Sequence, residues 1–381
     1  MKKVFSLLVI IMVFYACEKD NSLSQVYIPE MYPVEVDGKW GYINAEGDMV
    51  LEPQFDYAYG FKFGLAAVRI DNHWGFMGDD GKMKIEPRFF QVGAFTADGL
   101  ALAKTQDGVG YINRDGDIVI DCQYWKGREF SDGMAIVKDG YDYAAINTNG
   151  ELIIPAEYSY ITDFSDGHAW IQLESYTRGK WTIVNRNGEQ VTDRSYYPCT
   201  YKEERPGGYN TITTLPHFSE GTATVQIYGK NCYVDTDGYV VLETSFDFIS
   251  AFHSGMAFVG KDDNFGFINK RGTLLYDSYG FDFFSFFEGE YAPVKNHNEK
   301  WGIIDKNNRT VVSFDYKVCL NFEGDLAVVW FYDGNWGYVN KSDEVVWKSD
   351  SEGTYIPANH DDNPNVSDKK SFGQYKKELS L

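Results

Sequence analysis

The chain has little of what usually announces chemistry. It carries five cysteines in 381 residues, and Cys122, Cys199, Cys232 and Cys319 form neither a CxxC pair nor a metal-ligand spacing. It has no HExxH, no Walker loop, no GxSxG and no GxGxxG between a strand and a helix. Six histidines are scattered, and His73 and His297 fall in polar turns. Basic residues are scarce: 35 Lys and Arg against 56 Asp and Glu leave a formal charge of −21. That balance argues against nucleic-acid binding, which needs clustered cations to neutralise phosphates, and against adsorption on anionic membranes. The apolar run from Val4 to Tyr15, interrupted by Ser6, is too short to span a bilayer. These features predict a protein that is not an enzyme, holds no cofactor or metal and binds no nucleic acid.

What is present is repetition. Lys39-Trp40-Gly41-Tyr42-Ile43-Asn44 returns as Trp74-Gly75-Phe76-Met77, as Lys300-Trp301-Gly302-Ile303-Ile304-Asp305 and as Trp336-Gly337-Tyr338-Val339-Asn340. Weaker copies start at Val109, Tyr143, Trp181, Asn231 and Phe265. Successive starts lie 34, 35, 34, 38, 50, 34, 36 and 35 residues apart. A fixed period of this size means units that bury their apolar faces by stacking on their neighbours.

Each unit reads as three strands. Leu65-Ala66-Ala67-Val68-Arg69-Ile70 and Trp74-Gly75-Phe76-Met77 are β-rich runs either side of a polar turn, and Met83-Lys84-Ile85-Glu86-Pro87 alternates apolar with polar. Pro87 ends that third strand or places it at an edge. The turn before it is Asn44…Gly47, Asn113…Gly116, Asn147…Gly150, Asn185…Gly188, Asp235…Gly238 or Asn269…Gly272. An Asn or Asp three residues before a Gly predicts a side-chain-capped turn closed at positive φ. Gly78-Asp79-Asp80-Gly81 is a turn signal because Gly and Asp tolerate positive φ; it lacks the ligand spacing of a calcium loop. A Gly-x-Ala element such as Gly64-Leu65-Ala66 opens the first strand in six units, usually three residues after a Phe (Phe61, Phe130, Phe164, Phe218, Phe252). The Phe and the recurrent Trp are expected in the core.

Trp-Gly, Asn-x-x-Gly and Gly-x-Ala occur in order from about Tyr32 to Lys348, and on these motifs the chain resembles the WG (KWG) repeat family. The resemblance implies a β-rich repeat scaffold and no established chemistry. The fold class expected is all-β, nine three-stranded meander units in an open, curved, solenoid-like array. A propeller-like ring is the alternative, disfavoured because blades usually have four strands and because the units are whole at both ends.

The N-terminus resembles a bacterial lipoprotein signal: Lys2 and Lys3, the apolar run, then Phe14-Tyr15-Ala16-Cys17. It implies a signal peptide over residues 1–16, lipidation at Cys17 and a polar tether over 17–31. Glu18-Lys19-Asp20 is similar to the surface-export signal of Bacteroidetes lipoproteins. The expected location is the cell envelope, as an outer-membrane lipoprotein touching the membrane through its lipid alone. The repeat domain is expected over 32–348, with a polar, disordered tail over 349–381. Export permits disulfides, and Cys199 and Cys232 are the pair to consider, although four free, buried thiols are the preferred reading.

Two places interrupt the pattern. An insertion within 193–218 holds Tyr196, Tyr197, Tyr201, Arg205 and Tyr209, and insertions in repeat proteins often project from the binding face. Residues 281–287 form the densest aromatic run, with Phe283, Phe284 and Phe286. These eight side chains are the candidate ligand contacts. The function expected is a non-enzymatic scaffold for an unknown protein partner, with glycan binding through exposed aromatics as the alternative.

Overall fold

The computed structural model describes residues 30–173, 179–205, 208–261, 264–277 and 281–350. The signal segment, Cys17, all but the end of the tether and the tail beyond 350 lie outside them. Among the described residues every regular element is a β-strand.

The second unit shows the plan. Tyr57–Ala58, Leu65–Ile70, His73–Gly78 and Met83–Phe89 pair antiparallel in chain order. The expected three strands are there, and the loop before the Gly-x-Ala element supplies a short fourth, pairing Tyr57 with Arg69 and Ala58 with Val68. Seven units are four-stranded and the first is three-stranded. The fifth is thinner: His168–Gln172 and Trp181–Asn185 are extended only by bridges from Ile161, Gln190 and Tyr196. Eight of the nine units are thus blades of three or four strands.

The recurring residues have local causes. Asn44 Oδ1 accepts the amides of Glu46 at 3.1 Å and Asp48 at 2.8 Å, while Gly47 closes the turn at φ 90°. Asn113, Asn147, Asp235, Asn269, Asp305 and Asn340 repeat this. Where glycine is replaced, Asn308 and Asp343 adopt the left-handed conformation, which short polar side chains tolerate. The glycine of Trp-Gly answers to its neighbour strand. Trp74 pairs with Phe89 but Phe76 with Ile85, so the facing strand bulges by two residues. A Cβ on Gly75 would lie 2.4 Å from the Ile85 carbonyl oxygen and 2.7 Å from the Pro87 nitrogen. Pro87 sits within this outermost strand, at the bulge, rather than ending it. Of the repeat Trp and Phe residues, Trp40, Trp181, Trp301, Trp336, Phe130, Phe164, Phe218 and Phe252 are buried in the core, while Trp74 and Phe61 are half-buried and pack against it.

The units close into a ring, a β-propeller arrangement, and the open solenoid-like array is not found. Between neighbours the Asn-x-x-Gly turn of one unit rests on the last strand of the unit before. Gly116 lies on Ile85, Gly150 on Ile120 and Gly272 on Leu242. Gly47 of the first unit lies in the same way on Val346 of the ninth. Trp40 stacks on Trp336 with centroids 6.1 Å apart, and the Tyr338 hydroxyl donates to the Pro33 carbonyl at 3.0 Å. One apolar cluster joins Met31, Val34 and Trp40 to Leu326, Trp336 and Val339. The expected tether end therefore includes a core residue, Met31. Cys122, Cys199, Cys232 and Cys319 are free and buried, and burial pushes the Cys199 thiol up to about 12.

Candidate functional site

An up-and-down meander puts the loops between first and second strands on the same face as the Asn turns. Ion pairs confirm the shared face: Arg186 of one such turn meets Asp132 of the loop in the preceding unit, and Lys270 meets Glu220 at 3.1 Å. These loops are also laced to one another. Ser131 Oγ donates to the Phe164 carbonyl at 2.7 Å, Ser219 Oγ to the Phe252 carbonyl at 2.6 Å, and the Gly221 amide to Asp166 at 2.7 Å.

Four consecutive loops, from the fourth to the seventh unit, converge on a cleft of about 280 Å³. The insertion sits at its edge. Its hairpin, Cys199–Arg205 and Gly208–Thr214, interrupts the first strand of the sixth unit. Tyr197 bridges to Gln226 where Tyr57 pairs with Arg69 in the second unit. The chain returns through Leu215, Pro216 and His217, which line the cleft, and rejoins the repeat at Phe218.

Arg128 lies at the base and is 6% exposed. Its Nη1 donates to the Ile161 carbonyl at 2.9 Å and to Asp163 Oδ1 at 3.0 Å. The rings of Tyr143 and Tyr160 lie 5.3 and 5.0 Å from its Cζ. Burial works against its charge, and the Asp163 carboxylate with the two tyrosines more than offsets this, so the guanidinium stays protonated. Its Nη2 has no hydrogen-bond partner among the described residues. The Thr162 hydroxyl accepts the Trp170 amide at 2.9 Å, and the His253 ring lies 4.6 Å from that of Phe286. This arrangement can hold an acceptor by hydrogen bonding and charge. No group of three or more His, Cys, Asp or Glu suited to a metal occurs among the described residues.

The candidate contacts read from the sequence fare differently. Tyr196 is buried, stacks edge-on against Trp170 and donates to the Gly238 carbonyl at 2.5 Å, so it is a core residue and no contact. It is buried because its backbone bridges to Trp181, which turns the ring inward. Tyr197 is exposed. Phe286 is half-buried against His253, between the buried Ser285 and Phe287. Tyr201, Arg205 and Tyr209 belong to the hairpin strands, and Phe283 and Phe284 to Phe281–Phe284. Their side chains lie outside the described residues. Arg128, Thr162, Asp163 and His217 were missed. A signal existed: the two residues before the repeat Phe read Tyr59-Gly60 and Gly93-Ala94 in early units, but Arg128-Glu129, Thr162-Asp163 and Pro216-His217 here.

The chain matches the WG containing repeat family over residues 40–73, 74–108, 110–142, 143–181, 233–265, 265–301 and 301–329. These segments span more than half of it, and the chain belongs to that family. The gap from 182 to 232 holds the insertion. No curated protein matches the chain in sequence. Among solved structures it is similar to a eukaryotic initiation factor at TM-score 0.57 and 9% identity, over 84% of this chain and 96% of that one. It is also similar to BamB from Moraxella catarrhalis at TM-score 0.39 and 11% identity, over 82% and 94%. The first likeness concerns the fold alone.

Proposed function

We propose that this protein is a non-enzymatic scaffold of the cell envelope, held to the outer membrane by lipid on Cys17, that binds a protein partner on the loop face around Arg128. The observation that carries the reading is the convergence of four repeat loops on one cleft, one of them returning from the inserted hairpin, with a buried guanidinium nitrogen at its base that has no partner among the described residues. Repeat rings present extended surfaces, and an insertion that breaks the repeat marks the place where this one differs from its own copies.

A photo-cross-linking residue placed at Ser165, on the rim, tests it in cells. Discrete protein adducts at Ser165 and none at Tyr141, which lies at the turn between second and third strands on the opposite face, are the expected result. Adducts from both positions or from neither would count against it. Protease shaving of intact cells tests the location: loss of the ring places it outside, and protection until the outer membrane is opened places it in the periplasm. Cys17→Ala should release the protein from membranes.

A further inference from the structure

We infer that the cleft beside the inserted hairpin receives a carboxylate of the protein partner, bound by the Nη2 edge of Arg128. This rests on the scaffold reading above and adds the chemistry the partner must present. The guanidinium is already fixed on its other sides, by the Ile161 carbonyl and Asp163 at Nη1 and by the faces of Tyr143 and Tyr160. Aromatic faces attract a cation without serving as in-plane acceptors. Nη2 is thus a buried donor with no acceptor among the described residues, and a carboxylate entering the cleft supplies one.

An anion suits it better than a neutral carbonyl. Asp163 is 42% exposed at its side chain and Arg128 7%, so water screens the negative charge more than the positive one. Inside the cleft the cation prevails, on a chain whose net charge is −21. With Nη1 already donating to two acceptors, the bond open to a carboxylate is a charge-assisted one from Nη2, stronger than one to a neutral carbonyl. The walls favour a peptide over an acidic sugar. Among the described lining residues Phe164 and Phe218 are 1% and 2% exposed and Tyr160 and Pro216 are buried, so these offer no open ring face for a sugar to stack upon. A volume of about 280 Å³ admits one side chain or one chain end.

Random hexapeptide arrays probed with the full chain test the inference in three formats. The first has a free C-terminal carboxylate and no Asp or Glu; the second is amidated and contains Asp and Glu; the third is amidated and has neither. Binding in the first or second format and not in the third is expected, and the responding format tells a chain end from an acidic side chain. Arg128→Gln and Ser165→Trp should each weaken that binding about tenfold or more. Ser165→Trp blocks the mouth while leaving Arg128 and its ion pair in place, which keeps the test valid if Arg128→Gln fails to fold. Equal binding in all three formats overturns the carboxylate and leaves the scaffold reading standing. Binding to a polygalacturonate probe in place of peptides overturns it in favour of a glycan. No binding to any probe overturns it too, and cross-linking at Ser165 then decides separately whether the scaffold reading survives.

Discussion

At the scale of single residues, the Trp-Gly step is explained by what faces it rather than by its own conformation. Gly75→Ala places a methyl group against backbone atoms of a bulged strand, which cannot rotate away as a side chain would. A loss of about 1–3 kcal/mol in denaturant unfolding is expected, as for overpacking elsewhere. The unit starting at Tyr143 carries Ala144 in this position and keeps the bulge, so its own strand has adjusted. Glu220 offers a pH test. Both its oxygens accept the Gly255 amide at 3.1 Å. Burial raises its carboxyl pKa, but Lys270 and that amide outweigh burial and hold it below the usual range. A carboxyl lowered on folding stabilises fully above its unfolded pKa of about 4.3, and the contribution is lost as pH falls through the folded value. The melting-temperature gap between wild type and Glu220→Gln should therefore be open at neutral pH and close in acid. A gap that stays constant would remove the ion pair as its cause.

At the scale of elements, the inserted hairpin is an addition to a unit that already closes on itself. Its root is anchored where Cys199 packs with Tyr233, Ile249 and Phe252, and its return is anchored by Phe218. Replacing residues 201–212 by a short Gly-Ser turn keeps both anchors. Loop-length changes of this size shift closure entropy by under about 1 kcal/mol, so melting should change little. Cross-linking at Ser165 should fall, because Leu215, Pro216 and His217 would lose the segment that sets their course. A collapse in stability would show instead that the hairpin belongs to the core. The short fourth strand teaches a related lesson. It is two residues long in the second unit and in four others, and a period-two signal that brief does not stand out of a loop.

At the scale of the whole molecule, closure changes how the ring should unfold. In an open array the last unit would fray independently, since each repeat contacts only its neighbours. Here Trp336 is fully buried and touches both Trp40 of the first unit and Trp347 of its own. Trp336→Ala should cost about 3–5 kcal/mol and lower the midpoint of a single cooperative transition in urea, followed by tryptophan fluorescence. A separate early transition confined to the ninth unit would argue for weak closure.

The sequence by itself determined most of the unit: its length, three of its strands, its capped turns, most of its buried Trp and Phe, and the place where the pattern breaks. Those features depend on contacts within about ten residues, and alternation, Asn-x-x-Gly and Gly-x-Ala report such contacts directly. Whether the units ring or run on was decided only by the tertiary structure. Curvature arises from small rotations between sheets, summed over nine units, and Tyr338 finds Pro33 across 305 residues with no local pattern to announce it. The cleft was decided the same way. Arg128, Asp163 and His217 occupy ordinary loop positions in three different units, and only stacking those units side by side turns them into one site.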